Sequence, residues 1–582
     1  MENSVFKWMN NCSPISRQKL LWLFIVIYPL LFLFQGGDLT DTGFLTTEYH
    51  FFFDYYEENG FLDLKTVFTY FLGASLLKVF GQIIFLKISY YFLVLGTVYM
   101  VYWGLKPKFE KKHVLLFALF VGEVFCVRWT HFTLDYDVLS LFLLTGSAVL
   151  FSANLGRRNN AILFLSAFFA ALSIFTRIPN VLVVGVFLIY SILENIPPIN
   201  KEKPREYRFL KFFLFLFINL ALLNFILFIC IGGKAFFESV SLLFSSGQGE
   251  TADGVGYSLK NLWSIYWNDG LIAIRYALIM FFVFPFFGGI KSKKIGQFVT
   301  IGVFLFLLLY KDLKYQYSYD HINKYIYLGG ILVFTFFWML DVIKNKGKER
   351  VNALIALGFG LSLAQMAGTN TGLALKMGYM SIFMFPVVFL YFEQKKDLSF
   401  SSIYFSWKPI IWVFSLIICV LSILPRIGWI YHSDKGLLAR SRAVYPIKVS
   451  PYLGVFSNKS QVDYIQEIKV IFEGSVQLKN SSSIFVYGHK PAFYVILDKK
   501  PFIKEYWLNN AVYTPEYVWA QMEKKVGEMN AFPVLIDTKQ NILGKKGEVG
   551  FIDFINTHLY SKSYSSDNFD IWIRFNKEET KL

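Results

Sequence analysis

Charged residues are scarce in this chain of 582 residues. Asp, Glu, Lys and Arg make up 17% of it, whereas a typical soluble domain carries about 25%. Hydrophobic residues make up 55%, with 65 Phe and 35 Tyr among them. A soluble surface could not cover so much apolar area without large exposed patches, so a soluble globular chain is excluded. Disorder, a coiled coil and a collagen are excluded by the same composition. The sequence therefore predicts a multi-span membrane protein.

Cysteine, nucleotide-binding motifs and repeats are also rare or missing. The four cysteines are spaced in no zinc or redox pattern. No G-x-x-x-x-G-K-[ST] element occurs, which counts against a nucleotide enzyme, and no internal repeat supports a duplicated transporter fold. The net charge of +16 does not indicate a nucleic-acid partner, because the basic residues lie between apolar runs rather than on one face.

Apolar runs long enough to cross a bilayer occur about thirteen times between residues 1 and 426. The first run follows basic residues and is followed by no A-x-A-like cleavage site, so it is interpreted as a retained anchor. The segment 64–85 contains Gly73, Lys78 and Gly81, and it is predicted to be a re-entrant or membrane-surface helix pair. The predicted spans centre near Ile27, Val94, Phe117, Leu144, Phe168, Phe187, Leu222, Phe281, Phe306, Leu332, Ala356, Val387 and Ser415.

Basic residues are concentrated in alternate loops between the predicted spans, which indicates the orientation of the chain. With the N-terminus in the cytoplasm, Lys-rich and Arg-rich loops such as 106–112 and 201–211 lie inside. The loop at 36–64 then lies outside. An odd number of spans places the segment 427–582 outside as well.

Residues 427–582 differ from the rest of the chain, because they are mixed in charge and contain no run long enough to span a membrane. The sequence therefore predicts a transmembrane domain over residues 1–426 and a small α/β domain over residues 427–582. Alternating apolar residues and amphipathic stretches predict strands at Ser483–Tyr487, Pro533–Ile536 and Ile571–Phe575 and helices at Gln461–Phe472 and Pro515–Met529.

The first outer loop, residues 36–64, holds seven carboxylates and no Lys or Arg. An acidic outer loop can simply be tolerated. Asp38 and Asp41, however, directly follow the first predicted span, where a partly desolvated carboxylate is costly and is usually retained for a function. Such a function is general-base catalysis, so both residues are candidate bases.

The acidic outer loop, the span count, the α/β tail and the element Asp41-Thr-Gly-Phe44 resemble the GT-C superfamily of integral-membrane glycosyltransferases. Within it, the chain looks like bacterial members related to protein O-mannosyltransferases and to the aminoarabinose transferase of lipid A. Asp41 matches the leading catalytic Asp of that family's D-E-x-x-Y element. Thr42 stands where the family often has a second acid, which Asp38 could supply instead. The base is therefore left open between Asp38 and Asp41.

The resemblance also implies substrate or metal ligands in the first and second outer loops. The segment 128–137 is similar to the family's second loop, which helps build the site and can bind a divalent cation, Mg²⁺ or Mn²⁺. An interfacial belt with a salt bridge from Arg128 to Asp135 is the alternative interpretation. The candidate substrate or metal ligands are Glu48, His131, Asp135 and Asp137.

Several cations in the outer loops run against the positive-inside trend. A lipid-linked sugar donor carries phosphate at the headgroup level, where such cations would bind it and stabilise the leaving group. Arg177 lies in a segment that resembles the family's F-x-R-x-P-N turn, and its side chain could alternatively extend to lipid headgroups. The candidate phosphate ligands are Arg177, Lys311, Lys314, Lys324, Lys376 and Arg426.

The resemblance implies an enzyme of the bacterial cytoplasmic (inner) membrane, surrounded by membrane lipids, with a periplasmic α/β domain. Its expected reaction transfers a sugar from a polyprenyl-phosphate donor to an envelope glycan, glycolipid or protein acceptor, with inversion, on the outer face. A donor linked to a lipid is expected because an outer site cannot reach cytosolic nucleotide sugars. A transporter or flippase of lipid-linked sugars and a non-enzymatic envelope scaffold remain alternatives.

Overall fold

The computed structural model describes residues 14–59, 62, 64–127, 132–153, 159–194, 208–245, 259–289, 319–345, 350–367, 373–394, 398–400, 403–405, 407–430, 434–435, 438–504, 506, 508, 514–540 and 543–574. Helices dominate the part before residue 430, where long apolar sequences leave the helix as the structure that satisfies every backbone group internally. They are α1 Pro14–Leu33, α2 Asp41–His50, α3 Phe52–Asn59, α4 Val67–Phe80, α5 Ile84–Leu105, α6 Lys112–Val127, α7 Tyr136–Ala153, α8 Asn160–Thr176, α9 Val183–Glu194, α10 Arg208–Ile231, α11 Gly233–Ser245, α12 Leu259–Gly289, α13 Tyr319–Asn345, α14 Arg350–Met366, α15 Leu373–Met377, α16 Ser381–Gln394 and α17 Trp407–Gly428.

Within the described part of the chain, six stretches are long and apolar enough to cross a membrane, judged by length and composition alone. Every predicted span centre except Phe306 lies within one of the helices, and Phe306 is outside the described residues. The expected membrane class is thus confirmed, and the count of thirteen spans stays a prediction. The six stretches are Ile15–Leu33, Ile84–Lys108, Tyr136–Ala153, Phe209–Ile231, Asn323–Val342 and Ile410–Gly428.

The segment 64–85 forms one helix, α4, followed by the first residues of α5, rather than an interrupted helix pair. Helix α4 continues through Gly73 and Lys78 and ends before Gly81, whose φ of +67° is the left-handed conformation that glycine adopts readily. A Cβ added to Gly73 would lie 2.6 Å from the ring of Tyr49. This glycine therefore allows close packing of α4 against α2 and does not interrupt the helix.

Short helices and strands make up the chain from residue 429 onward. Each predicted strand and helix in this region is confirmed, with bounds that differ by at most two residues over the described part. The helices are α18 Ala439–Arg442, α19 Lys459–Gly474, α20 Val476–Lys479, α21 Ala492–Leu497, α22 Pro515–Met529 and α23 Gly544–Thr557. The strands, with one earlier hairpin, are β1 Leu398–Phe400, β2 Ile403–Phe405, β3 Trp429–Ile430, β4 Asp434–Lys435, β5 Tyr445–Pro446, β6 Phe456–Ser457, β7 Ser483–Tyr487, β8 Lys500–Pro501, β9 Val534–Asp537, β10 Tyr560–Ser565 and β11 Asp570–Arg574.

A five-stranded sheet in the order β10-β11-β9-β7-β8 organises this C-terminal region. Strand β7 pairs in parallel with β8 and with β9, whereas β11 pairs antiparallel with β9 and β10. Alternate residues of β7 enter different cores. Ile484 and Val486 join the large core that includes the membrane helices, and Phe485 and Tyr487 join a second core with α22 and α23. The two faces of the sheet therefore belong to different cores.

Candidate active site at the ends of three apolar helices

A tight turn between α1 and α2 is organised by the carboxylate of Asp38. Its Oδ1 accepts hydrogen bonds from the amide of Thr40 at 2.9 Å and from the Thr40 hydroxyl at 2.6 Å, and its Oδ2 accepts one from the amide of Thr42 at 2.7 Å. Asp38 is only 4% exposed. Both of its oxygens are thus used to hold the backbone that leads into α2.

Asp41 is the first residue of α2 and is half-buried. A carboxylate at this position interacts favourably with the helix dipole, which is the ordinary structural role of an acid in a first helical turn.

Two residues later, a Cβ on Gly43 would lie 2.6 Å from the backbone nitrogen of Ala492. The glycine of the Asp41–Phe44 element therefore lets α2 pack directly on α21, whose Ala492 amide also donates to the Leu39 carbonyl at 3.2 Å.

Two cations bind Gln35, three residues before Asp38, and a third, Arg426, lies next to one of them. Lys87 donates to the Gln35 carbonyl at 3.3 Å, and Arg440 donates to Gln35 Oε1 at 3.2 Å and to the Arg426 carbonyl at 2.9 Å. The acceptors of these three bonds are neutral oxygens. The Arg426 and Arg440 guanidinium carbons lie 5.4 Å and 4.9 Å from the centroid of the Phe32 ring. Lys87 and Arg426 are 2% and 3% exposed, so we call Lys87, Arg426 and Arg440 the buried cation cluster.

The buried cation cluster lies where three candidate spans end. Helix α1 ends at Leu33, just before Gln35. Helix α5 begins at Ile84, near Lys87, and α17 ends at Gly428, near Arg426. Span ends lie at the level of the lipid headgroups. The cluster and the acidic turn therefore both lie at the ends of candidate spans.

A second charged group forms around Asp137, at the start of α7. Lys376 contacts Asp137 Oδ2, and Arg177 Nη1 lies 3.7 Å from Asp137 Oδ1. The Arg177 guanidinium also donates to the carbonyls of Gln365 at 2.5 Å and Ala367 at 2.6 Å, at the end of α14. All three charged side chains are less than 10% exposed. Arg177 and Lys376 are therefore engaged with protein groups.

The loop before α7 connects the two charged groups. Asp135 caps α7, because its Oδ1 accepts a hydrogen bond from the Val138 amide at 2.8 Å. Burial and, second, the nearby Asp137 carboxylate raise the pKa of Asp135 above its ordinary value. Leu134 accepts a hydrogen bond from the Tyr49 hydroxyl of α2, and the ring of Phe132 lies 4.0 Å from the Arg426 guanidinium carbon.

Other carboxylates of the first loop bind C-terminal residues. Glu48 accepts a 2.5 Å hydrogen bond from the buried Tyr506 hydroxyl, and Asp54 lies 3.6 Å from the Lys500 ammonium. Over the residues that the structure describes, no group of three or more His, Cys, Asp or Glu side chains is arranged to hold a metal ion. The expected Mg²⁺ or Mn²⁺ ligands are thus not brought together in that part of the chain.

The structure brings the predicted site residues into two groups. Asp38 and Asp41 belong to the turn that follows Gln35, and Arg426 belongs to the cation cluster that reaches Gln35 through Arg440. Arg177 and Lys376 each contact Asp137. Lys324 is buried elsewhere, with its ammonium 5.3 Å from the Tyr325 ring centroid. His131, Lys311 and Lys314 are outside the described residues, as is Arg128.

Sequence reasoning missed two members of the buried cation cluster. Lys87 was available as a signal, because it is a charge within the first turn of an apolar span. Arg440 follows the last predicted span after a short segment. Its helix, α18, has four residues, which are too few to show a helical periodicity of apolar residues in the sequence.

Comparisons with known proteins return similarity in structure alone. No family model matches the chain, and no curated protein matches it. The structure is similar to that of the oligosaccharyltransferase AglB of Archaeoglobus fulgidus, a GT-C glycosyltransferase. The apo form is 10% identical, with 98% of this chain and 75% of that chain covered and a TM-score of 0.46.

Two further structures of that enzyme give similar values. The form tethered to an acceptor peptide is 10% identical, with 96% of this chain and 74% of that chain covered and a TM-score of 0.46. The complex with an inhibitory peptide and a dolichol-phosphate is 11% identical, with coverage of 96% and 75% and a TM-score of 0.45. The similarity in all three cases extends over most of this chain at low sequence identity.

Proposed function

We propose that this protein is a membrane glycosyltransferase that takes its sugar from a polyprenyl-phosphate donor and transfers it to an envelope glycan, glycolipid or protein on the outer face of the bacterial cytoplasmic membrane. The observation that carries the proposal is that the acidic turn at 38–41 closely follows Gln35, whose oxygens bind Lys87 and Arg440 of the buried cation cluster, at the ends of three candidate spans. A base and an anion site at headgroup depth are the two parts that this reaction requires.

The buried cation cluster suits the phosphate of the donor. Two guanidinium groups and an ammonium supply forked and single donors to phosphate oxygens, and charge-assisted bonds of this kind are stronger in a desolvated site. Burial and, second, the neighbouring Arg426 guanidinium lower the pKa of Arg440 to about 8. The protein therefore holds positive charge here against desolvation and repulsion, and a bound phosphate would offset both.

Asp41 is the better candidate for the base, and Asp38 for the residue that positions it. Three donors occupy both oxygens of Asp38, and Asp41 is half-buried at the first residue of α2. The backbone held by Asp38 fixes the first turn of α2, and with it the Asp41 carboxylate. The role proposed for Asp38 follows from the hydrogen bonds of the turn, and the role proposed for Asp41 follows from its match to the leading Asp of the resembled family element.

The reaction is a single displacement. The Asp41 carboxylate accepts the proton of an acceptor hydroxyl as that oxygen attacks the anomeric carbon of the donor sugar. The bond from the anomeric carbon to the phosphate oxygen breaks, and the electron pair leaves with the polyprenyl phosphate. Attack opposite the leaving group inverts the anomeric centre. The cation cluster stabilises the negative charge that develops on the phosphate.

Arg177 and Lys376 remain predicted phosphate ligands, but their contacts support a positioning role. Both are directed to Asp137, which also receives a 3.1 Å hydrogen bond at its carbonyl from the Gln365 side chain. This group fixes the start of α7 against α14 and α15. It thereby places the loop that contacts Arg426 through Phe132 and α2 through Leu134.

The base is tested by restoring the gene to cells that lack it and measuring envelope glycans and glycolipids by mass spectrometry. We expect Asp41→Asn to lower transfer by a factor of about 10²–10⁴, as for loss of a general base. Asp54→Asn, a carboxylate of the same loop bound to Lys500, should transfer normally. Asp38→Asn should lose about 1–3 kcal/mol of stability through an unsatisfied Thr42 amide. Full transfer by a correctly inserted Asp41→Asn variant would exclude this mechanism.

The cation cluster is tested by binding of undecaprenyl phosphate to the full chain in lipid nanodiscs, followed by native mass spectrometry. Loss of a charge-assisted contact costs about 1.5–3 kcal/mol, so Arg440→Gln and Arg426→Gln should each weaken binding by roughly 10–100-fold. Arg442→Gln is the matched control, because Arg442 lies on the same short helix and pairs at the surface with Asp434. If Arg440→Gln and Arg426→Gln bind undecaprenyl phosphate as tightly as Arg442→Gln does, the phosphate does not bind at the buried cation cluster.

Glu123 favours the alternative of a transporter or flippase for lipid-linked sugars. It is fully buried in α6, and neither carboxylate oxygen has a hydrogen-bond partner among the described residues. An ionisable side chain at such a depth is often part of a transport pathway. Translocation of a fluorescent polyprenyl-phosphate sugar across proteoliposomes, lost in Glu123→Gln and accompanied by no glycosidic bond formation, would support the transporter over the transferase.

A further inference from the structure

A cavity of about 490 Å³ opens at one edge of the C-terminal sheet. Tyr487 and Asp537, which line it, are the last residues of the parallel neighbours β7 and β9 and are partners in the register. The chain leaves β7 for β8 on one side and later returns to β9 on the other side. Such a switch point, at the carboxyl ends of parallel strands, is where open α/β sheets bind ligands. The volume is that of an ordinary small-molecule site.

Aromatic rings and polar side chains divide the cavity into a floor and a rim. The rings of Tyr487 and Phe551 are stacked, with centroids 4.5 Å apart and an interplanar angle of 7°. Tyr560 and Trp572 add further aromatic surface. The polar rim comprises Asp537, Lys539, Gln540, Glu548 and Asn556.

Two polar atoms of the lining lack partners among the residues that the structure describes. They are the hydroxyl of Tyr487, a residue 4% exposed, and the indole nitrogen of Trp572. A buried polar atom without a partner destabilises the folded state, so native proteins seldom keep one that no ligand or water satisfies. Burial and then the carboxylates of Asp537 and Glu548 raise the pKa of Tyr487 to about 12, so this hydroxyl keeps its proton at neutral pH.

The charges of the rim indicate a neutral ligand. Asp537 and Glu548 contribute two carboxylates, and the single cation, Lys539, lies 3.2 Å from Asp570. A phosphate or other anion would therefore be repelled. Aromatic faces match the apolar faces of sugar rings, and carboxylate, amide and phenol groups supply both acceptors and donors for neighbouring hydroxyls. This combination suits an oligosaccharide.

A short segment of chain links the cavity to residues that contact the acidic turn and α2. Residues 488–491 lead from Tyr487 to Ala492, whose amide donates to the Leu39 carbonyl, and Thr47 donates to the Pro491 carbonyl at 3.0 Å. Five residues span at most about 18 Å when fully extended. A glycan held in the cavity can therefore reach round the carboxyl edge of the sheet toward Asp41.

We propose that this cavity binds a neutral oligosaccharide and, resting on the proposed function, that it holds the acceptor glycan while the growing end lies at Asp41. The acceptor class is then a glycan or glycolipid rather than a bare protein. The cavity selects the acceptor, whereas the cation cluster selects the donor.

Binding is tested with the full chain in nanodiscs on an array of neutral oligosaccharides, with sialylated oligosaccharides as the anionic comparison. We expect a subset of the neutral glycans to bind and the sialylated ones to be rejected. Glu548→Gln and Asn556→Ala should weaken that binding at least tenfold. Asp553→Asn is the matched control, because Asp553 is exposed on the same helix, α23, and does not line the cavity.

Each outcome decides a separate claim. No binding of any neutral glycan, or equal binding by the cavity variants and wild type, overturns the carbohydrate site. Glycan binding that is lost in the cavity variants while wild type transfers no sugar would retain the site and overturn the glycosyltransferase. Transfer abolished by Asp41→Asn but with an unchanged KM for the acceptor in Glu548→Gln and Asn556→Ala would retain the enzyme and overturn the acceptor role.

Discussion

The hydroxyl of Tyr506 donates a 2.5 Å hydrogen bond to Glu48 Oε1, although the two residues are far apart in the chain. Glu48 is one of the acidic residues expected to bind substrate or metal. Its bond ties α2 to the C-terminal region instead, and Tyr506 is only 1% exposed. The acidic character of the first loop is therefore explained in part by contacts that hold the C-terminal region over the ends of the spans.

The Tyr506–Glu48 bond should contribute measurably to stability. Tyr506→Phe leaves the Glu48 carboxylate without this donor, and we expect a loss of about 1–3 kcal/mol in the free energy of unfolding, measured by thermal unfolding in nanodiscs. The control is Tyr564→Phe, which removes a similar 2.9 Å bond to Glu467 in a more exposed setting and should cost less than about 1 kcal/mol. Equal effects of the two variants would contradict a special role for Tyr506.

The glycine of the Asp41–Phe44 element should be needed for packing. Gly43→Ala places a Cβ 2.6 Å from the Ala492 backbone nitrogen, so α2 and α21 must separate. We expect a loss of about 1–3 kcal/mol and reduced transfer, since α2 carries Asp41. Gly185→Ala in α9 has nothing within 4 Å of the added Cβ and should be neutral or stabilising by up to about 1 kcal/mol. A Gly43→Ala variant as stable as Gly185→Ala would refute the close packing.

The charged group at Asp137 should behave as a structural unit. Asp137→Asn leaves Lys376 and Arg177 buried without their carboxylate, which costs about 3–5 kcal/mol for a broken buried pair. The double variant Asp137→Asn with Lys376→Gln should recover part of that loss, and unfolding of the single and double variants forms the cycle that measures it. Single variants that keep full stability but bind undecaprenyl phosphate poorly would instead support direct phosphate binding by Lys376.

Lys490 should make stability depend on pH in the alkaline range. Burial lowers its pKa to about 8, from an ordinary value near 10.5, and its ammonium lies 3.9 Å from the Tyr464 ring centroid. Between about pH 8 and 10.5 the unfolded chain binds a proton at Lys490 that the folded chain lacks, so this residue makes stability rise with pH there. The rise amounts to about 3 kcal/mol at most.

Replacing Lys490 removes that dependence. The stability difference between Lys490→Met and wild type, followed by thermal unfolding from pH 7 to pH 10.5, should shift steadily in favour of wild type. Lys448→Met removes an exposed lysine from the same region and should leave the pH profile unchanged. Parallel pH profiles for Lys490→Met and wild type would show that the side chain titrates as it does in the unfolded chain.

The helices and the sheet were predicted from local patterns. A membrane span requires a run of apolar residues, and a strand with one buried face shows alternating apolar and polar residues. Both patterns can therefore be recognised in a short stretch of sequence. The strand at Ser483–Tyr487 and the helix at Pro515–Met529 have the bounds that the sequence predicts. The helix over Val67–Phe80 was misjudged, because Gly73 resembles a break until its contact with Tyr49 is known.

Composition and periodicity are local properties, so they are enough to establish the membrane class, the acidic loop after the first span and the α/β character of the last 150 or so residues. The association of Arg426 with Lys87 and Arg440, and of Arg177 and Lys376 with Asp137, is visible in the folded chain and not in the sequence. These residues are distant in the chain, and a buried charge acquires its role from the groups packed around it. Long-range packing of helix ends, which no local pattern encodes, therefore sets the candidate site.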